Sequence, residues 1–233
     1  MRVAIMQPYI FPYVGYFQLI QQVDNFIFLD DVNFIKKGWI NRNRLLISGE
    51  IKYFSIPIKS ISQNTLISQT IVHDDELWRK KLSKSIEQSY KNAPQFSKVF
   101  EIFEAVIFSN LENISDLAKK SIGLVSDYMN LKTNFASSSS YSNDQFLRGQ
   151  DRIIDLCEKN NATQYWNLPG GRDLYSNDEF LSKKIDLQFI DPYLGEYNQF
   201  SSEFQPGLSV IDLLMHVDKD KLAMYLKPKQ SSI

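Results

Sequence analysis

The stretch RVAIMQPYIFPYVGYFQLIQQVDNFIFLDD, residues 2 to 31, decides the fold. Arg2 to Met6 reads as a short buried strand. A stiff turn follows, with prolines at 8 and 12 and rings at 9, 11, 13, 16 and 17. From Tyr16 to Val23 the apolar residues recur at helical spacing. Asn25 breaks that pattern, and Phe26-Ile27-Phe28-Leu29 forms a second buried run that ends at Asp30-Asp31. Strand, turn, helix and strand within about thirty residues is the βαβ unit of a parallel sheet.

Working outward, Leu45 to Pro57 predicts a hairpin with Ser48-Gly49-Glu50 as its turn. Helical patterns then run from Asp74 or Asp75 toward Asn92, from Pro94 toward Asn110, and from Ile114 to Met129. They predict a helical lobe, roughly residues 75 to 130, inserted between sheet elements. Sheet signals return at Thr133 to Ala136, Thr163 to Trp166 and Ile185 to Ile190, with a helix over Gly149 to Glu158. Leu168-Pro169-Gly170-Gly171-Arg172-Asp173 is a turn, because proline and paired glycines continue neither regular structure. Ser209 to Met215 is an apolar helix with a Ser-x-x-Asp opening, so Asp212 reads as a cap of its own helix.

The chain has 233 residues, 43% of them hydrophobic and 23% charged, with a net charge of −1. That balance describes a soluble globular chain of one domain, 1–233, and gives no reason to expect DNA as a partner. No apolar run reaches the length of a membrane span, so no membrane insertion is expected. The start of the chain leaves no room for the apolar core of a signal peptide, which predicts a cytoplasmic protein. Cys157 is the only cysteine, which excludes an internal disulfide and a thiolate zinc cage, and its apolar neighbours read as core. His73 reads as exposed near a helix start, and His216 as favoured by a helix dipole. No metal site is expected.

Open α/β sheets bind ligands where their strands end, so residues 7–16, 30–44, 167–175 and 197–212 are expected to converge. Tyr9, Tyr13 and Tyr16 are candidates to stack on a base or sugar, while Phe11 and Phe17 read as core. Gly15 permits close backbone approach. Gln7 is a polar group ending an apolar strand. Lys37, Arg42 and Arg44 are candidates to clamp a diphosphate, with Asn43 between them, because guanidinium forks match phosphate oxygens. Asp30 or Asp31 is the candidate general base, or alternatively binds a ribose or sugar hydroxyl, or holds a metal with its neighbour. Asn167, Gly170, Gly171 and Tyr175 complete the set, the glycines offering backbone N–H groups to an oxyanion or phosphate. The alternative for the charged stretch is a solvated hairpin with surface ion pairs. No Gly-x-Ser-x-Gly elbow, phosphate-binding Gly-x-x-x-x-Gly-Lys loop or Gly-x-Gly-x-x-Gly fingerprint occurs.

Several of these runs resemble the WbqC-like family, encoded among bacterial genes for O-antigen and other surface polysaccharides. They are Gln7-Pro8-Tyr9-Ile10-Phe11-Pro12-Tyr13-Val14-Gly15-Tyr16-Phe17, Asp24 to Asp31, Lys37-Gly38-Trp39-Ile40-Asn41-Arg42-Asn43-Arg44 and Leu168-Pro169-Gly170-Gly171 with Leu174-Tyr175. Tyr197-Asn198-Gln199 and Phe204 to Asp212 also match. Some members are described as candidate glycine transferases acting on amino sugars. A more distant similarity is to nucleotidylyltransferases, whose His-x-Gly-His motif is here Tyr13-Val14-Gly15-Tyr16. Tyrosines of pKa about 10 do not replace two imidazoles as sources of positive charge.

The expected architecture is thus α/β, a mostly parallel Rossmann-like sheet with an inserted helical lobe. The resemblance implies modification of a nucleotide-linked amino sugar in O-antigen synthesis by aminoacyl (glycyl) or acyl transfer to the sugar amine. The partner is then a nucleotide-sugar, with the acyl donor and any cofactor left unnamed. The rivals are a nucleotidyl- or adenylyl-transferring enzyme and a non-catalytic binding module of polysaccharide assembly. An exposed aromatic surface serves equally as a homo-oligomer interface.

Overall fold

The computed structural model describes residues 1–60, 62, 64–142 and 147–229. Its centre is a five-stranded sheet of β1 (Arg2–Met6), β2 (Asn25–Phe28), β5 (Asn134–Ser137), β6 (Gln164–Asn167) and β7 (Asp186–Phe189). Their order is β5-β2-β1-β6-β7, and every pairing is parallel. Taken in chain order these strands run 3-2-1-4-5, the doubly wound order, and the winding reverses between β1 and β6. The expected α/β architecture is therefore present.

The continuous apolar run in β1 has a direct cause, since both faces of the strand are covered. Val3 and Ile5 pack with Ile154, Leu156, Cys157, Tyr165 and Phe180 on one side. Ala4, between them, packs on the other side with Phe17, Phe26 and the helical residues Phe103 and Ile122. Helix α1 (Val14–Gln22) joins β1 to β2, and begins two residues earlier than the apolar spacing alone implied. Helices α5 (Gly149–Lys159) and α6 (Asn177–Ser182) follow β5 and β6.

Between β2 and β5 the chain inserts a hairpin, β3 (Arg42–Ile47) and β4 (Glu50–Ser55), and helices α2 (Glu76–Tyr90), α3 (Phe96–Ile107) and α4 (Ile114–Tyr128). Ile47 pairs with Glu50 across Ser48-Gly49, and both turn residues have positive φ, 56° and 78°. That is the mirror-image turn whose twist matches a hairpin. Asp75 caps α2 by accepting from Leu77 N–H, and Asn113 caps α4 by accepting from Asp116 N–H. The helices share one core with the sheet, Phe11 stacking on Phe103 with ring centroids 5.3 Å apart.

Helix α7 (Val210–His216) corrects the reading of Asp212 as a cap. Ser209 Oγ accepts from Ile211 N–H and serves as the cap, while Asp212 turns inward. There its carboxylate accepts from Tyr90 Oη at 2.6 Å and from Tyr197 Oη and Gln199 Nε2 at 2.9 Å. A short last helix, α8 (Leu222–Tyr225), follows. No helix among the described residues is long and apolar enough to cross a membrane.

Candidate functional site

A cavity of about 1310 Å³ opens at the carboxyl edge of the sheet. It is reached by the ends of β1 (Met6, Gln7) and β6 (Asn167, Leu168), by Leu29 and Asp31 after β2, and by the start of α5 after β5. This is where the strand order reverses, the position at which such sheets form a crevice. Its volume exceeds the roughly 300–1,000 Å³ of ordinary small-molecule sites.

The turn between β1 and α1 forms one wall and is held from several sides. Phe11 is fully buried at φ 43°, a strained value for a side chain of that size. Asn43 Nδ2 donates to Ile10 O at 3.1 Å and Phe11 O at 2.6 Å, Ser209 Oγ donates to Phe11 O at 2.8 Å, and Phe11 N–H donates to Ser121 Oγ at 3.0 Å. Asn43 therefore lines the cavity but fixes the turn. The same turn sets Tyr9 edge-on to Tyr16, ring centroids 5.3 Å apart, and Tyr16 Oη donates to Gln7 O at 3.1 Å. Tyr9, Tyr13, Tyr16 and Gln7 all line the cavity. Burial pushes the Tyr13 phenol up to about 12, and Tyr9 and Tyr16 well above the ordinary tyrosine value, so these rings are neutral surfaces.

The two aspartates after β2 separate. Asp31 lines the cavity; its Oδ2 stands 2.7 Å from Arg152 Nη2 and its Oδ1 2.5 Å from Ser138 Oγ. Asp30 is not part of the lining. It is fully buried, 2.5 Å from Lys119 Nζ, and accepts from Ser139 N–H at 3.1 Å and Ser115 Oγ at 3.2 Å. Burial alone raises the Asp30 carboxyl, but the Lys119 ammonium and the Ser139 donors outweigh it and hold the group below its ordinary value. A buried, paired carboxylate is a structural tie, and the general-base reading of Asp30 loses its access to substrate.

The basic stretch also divides. Lys37 lies on an exposed turn at φ 61°, outside the lining. Arg42 is outside it as well, with Nε donating to Gly38 O at 2.9 Å, Nη2 donating to Lys37 O, and the guanidinium 4.7 Å from the Tyr53 ring centroid. Only Arg44 reaches the cavity. Its guanidinium lies 5.5 Å from the Trp39 ring centroid and donates to Gly207 O at 3.2 Å, while its buried Nε has no partner among the described residues. The three-residue clamp expected from sequence is thus reduced to one residue. Gly15 is also outside the lining; a Cβ there would stand 2.5 Å from the Tyr13 ring, so it admits a tyrosine side chain.

On the β6 side, Asn167, Gly170, Gly171 and Tyr175 all line the cavity. Asn167 is committed internally: Nδ2 donates to Tyr165 Oη at 3.0 Å and Oδ1 accepts from Leu168 N–H at 2.7 Å. Gly171 N–H donates to Leu168 O, which withdraws it as an oxyanion donor. Its lack of a side chain matters instead, because a Cβ would stand 2.7 Å from Asn167 Nδ2.

Arg148, Gln150, Arg152, Trp39 and Gly207 also line the cavity and were absent from the expected set. Two arginines one helical turn apart at the start of a helix that follows a strand were a legible signal for the first and third. The Asp31–Arg152 pair, 121 positions apart, was not.

The family model for the WbqC-like protein family matches residues 7–224. The chain is 29% identical over 221 residues to the uncharacterized protein Rv1507c of Mycobacterium tuberculosis (strain ATCC 25618 / H37Rv), covering 93% of this chain and 94% of that protein. No solved structure matches. With the quoted motifs and all of the cavity wall except Ile5 and Met6 inside the matched span, this chain belongs to the WbqC-like protein family.

Proposed function

We propose that this protein transfers an aminoacyl (glycyl) or acyl group to the amine of a nucleotide-linked amino sugar, in the cytoplasm, during surface-polysaccharide synthesis. The observation that carries this reading is the composition of the cavity. Tyr9, Tyr13 and Trp39 supply aromatic surface, Arg44 and Arg148 supply positive charge, and Asp31, paired with Arg152, is the one carboxylate among the described lining residues. A nucleotide-sugar is planar at one end, anionic in the middle and polar at the other, and such a lining complements it. The association of the family with surface-polysaccharide genes supports the same class of substrate.

Among the described lining residues there is no Ser, Thr, Cys, His or Lys. Cys157 is buried and its thiol is pushed up to about 12, first by burial and then by Glu158, so it is no nucleophile. The reading therefore uses direct attack. The neutral sugar amine adds to the acyl carbonyl of an already activated donor, the C–N bond forms, and the bond to the donor's leaving group breaks. Asp31 is the group positioned to take the ammonium proton. The remaining lining residues orient the two substrates.

A thermal-shift series on the full chain tests this, with dTDP-, UDP-, GDP- and CMP-sugars and with ATP and Mg²⁺ alongside. One class of nucleotide-sugar at 100 times its dissociation constant raises stability by about 2.7 kcal/mol. The shift disappears in Arg44→Ala and persists in Arg42→Ala. Stabilisation by ATP alone would replace this reading with nucleotidyl or adenylyl transfer, and no shift with any compound would sink it. A second reading, a binding module, is favoured by the engagement of both Asp31 oxygens. It predicts that Asp31→Asn binds ligand and supports polysaccharide assembly as well as the wild type.

A further inference from the structure

Doubly wound sheets commonly hold phosphate at the helix that follows the first strand, because its first N–H groups are unpaired there. Here a ring occupies the space beside that turn. The Tyr13 ring lies over the first turn of α1, close enough that a Cβ on Gly15 would stand 2.5 Å from Tyr13 Cε2 and 2.7 Å from its hydroxyl.

Helix α5 offers what α1 does not. Its first residues Gly149 and Gln150 line the cavity, which Val14 and Gly15 of α1 do not; among the described residues no side chain caps either helix. Arg148, immediately before it, lines the cavity too, is exposed, and among the described residues donates only to its neighbour Leu147 O, with no carboxylate in ion-pair distance. Beneath it Arg152 is 3% exposed and lines the same cavity. Its Nη atoms hold Asp31 and Asp155 at 2.7 and 2.6 Å, yet its buried Nε–H has no partner among the described residues. Asp151 in the first turn is exposed and outside the lining.

We propose that the N-terminal turn of α5, with Arg148 and Arg152, is the diphosphate subsite of this cavity, in place of the N-terminus of α1. The identity of the ligand as a nucleoside diphosphate ester rests on the function proposed above; the anion site itself does not. Arg148 closes on the anion as a planar fork, the first N–H groups of α5 and its dipole face it, and Arg152, its charge already matched by Asp31 and Asp155, contributes only its Nε–H from below. The base and sugar then lie along Tyr9, Tyr13 and Trp39.

The test is calorimetric titration of the full chain with inorganic pyrophosphate, with UDP, dTDP, GDP and CDP, and with the matching nucleosides. The variants are Arg148→Gln, Gln150→Glu and, as a control outside the cavity, Lys80→Gln. Gln150→Glu keeps the acceptor that Gln150 Oε1 provides to Ser176 N–H and adds negative charge at the subsite. Pyrophosphate and one nucleoside diphosphate are expected to bind wild type and the Lys80→Gln control alike, and at least tenfold more weakly to each α5 variant. Nucleoside binding is expected to be unchanged. If a nucleoside diphosphate binds both α5 variants as tightly as wild type, the subsite is overturned while the substrate reading survives. If pyrophosphate binds in the α5-dependent way and no nucleoside diphosphate does, the anion site holds and the nucleotide-sugar reading falls. Failure of every anion to bind wild type overturns both.

Discussion

Asp30 and Asp31 are adjacent in sequence and differ in every physical respect that matters. One is sealed beneath α4 against Lys119; the other reaches the cavity beside Arg152. Removing the Asp30 charge leaves Lys119, whose side chain is 20% exposed, without its close partner, so Asp30→Asn is expected to cost about 3 kcal/mol of unfolding free energy at pH 7. The sign with pH follows from the lowered carboxyl. Its contribution is complete above the unfolded-chain value of about 3.9 and is lost as the pH falls through the lower folded value. Denaturant titrations at pH 7 and pH 3 should show the wild-type advantage shrinking at the acid end; an advantage that does not shrink would remove the charge pair as its cause.

At the scale of elements, the β3–β4 hairpin and the β1–α1 turn show two ways of holding unusual backbone. The hairpin uses chemistry local to the turn, Ser48 and Gly49 at φ 56° and 78°. Ser48→Asn, which tolerates that conformation better, is expected to stabilise the protein by about 0.5 kcal/mol, and Gly49→Ala to destabilise it by about 1 kcal/mol. Thermal melts of the two variants moving in the same direction would contradict this. Phe11, by contrast, is held at φ 43° by Asn43, Ser121 and Ser209 from three other elements. The aromatic turn was legible in the sequence, and its role as a cavity wall followed from its place after β1. The residues that clamp it were not legible, because Asn43 looks the same whether it binds a ligand or a carbonyl.

For the whole molecule, the dominant titration is alkaline. Tyr16, Tyr90 and Tyr165 are buried and their phenols pushed up, mainly by burial. A raised folded value makes their contribution complete below about pH 10, the unfolded value, and lost as the pH rises toward the folded one. Stability is therefore expected to fall steeply above pH 10, with tyrosinate absorbance appearing together with unfolding. Tyrosinate absorbance that rises fully while the chain stays folded would contradict the burial of these rings.

The sequence by itself determined the parallel sheet, the hairpin, the inserted helices and the edge of the sheet at which the cavity opens. Those features depend on short-range periodicity and turn chemistry, which a stretch of neighbouring residues carries unaided. Tertiary structure alone decided which polar side chains face the cavity. Arg44 enters it and Arg42 does not; Asp31 enters it and Asp30 does not. A charged side chain settles with whichever partner the fold brings near, and Lys119 and Arg152 come from elements far along the chain.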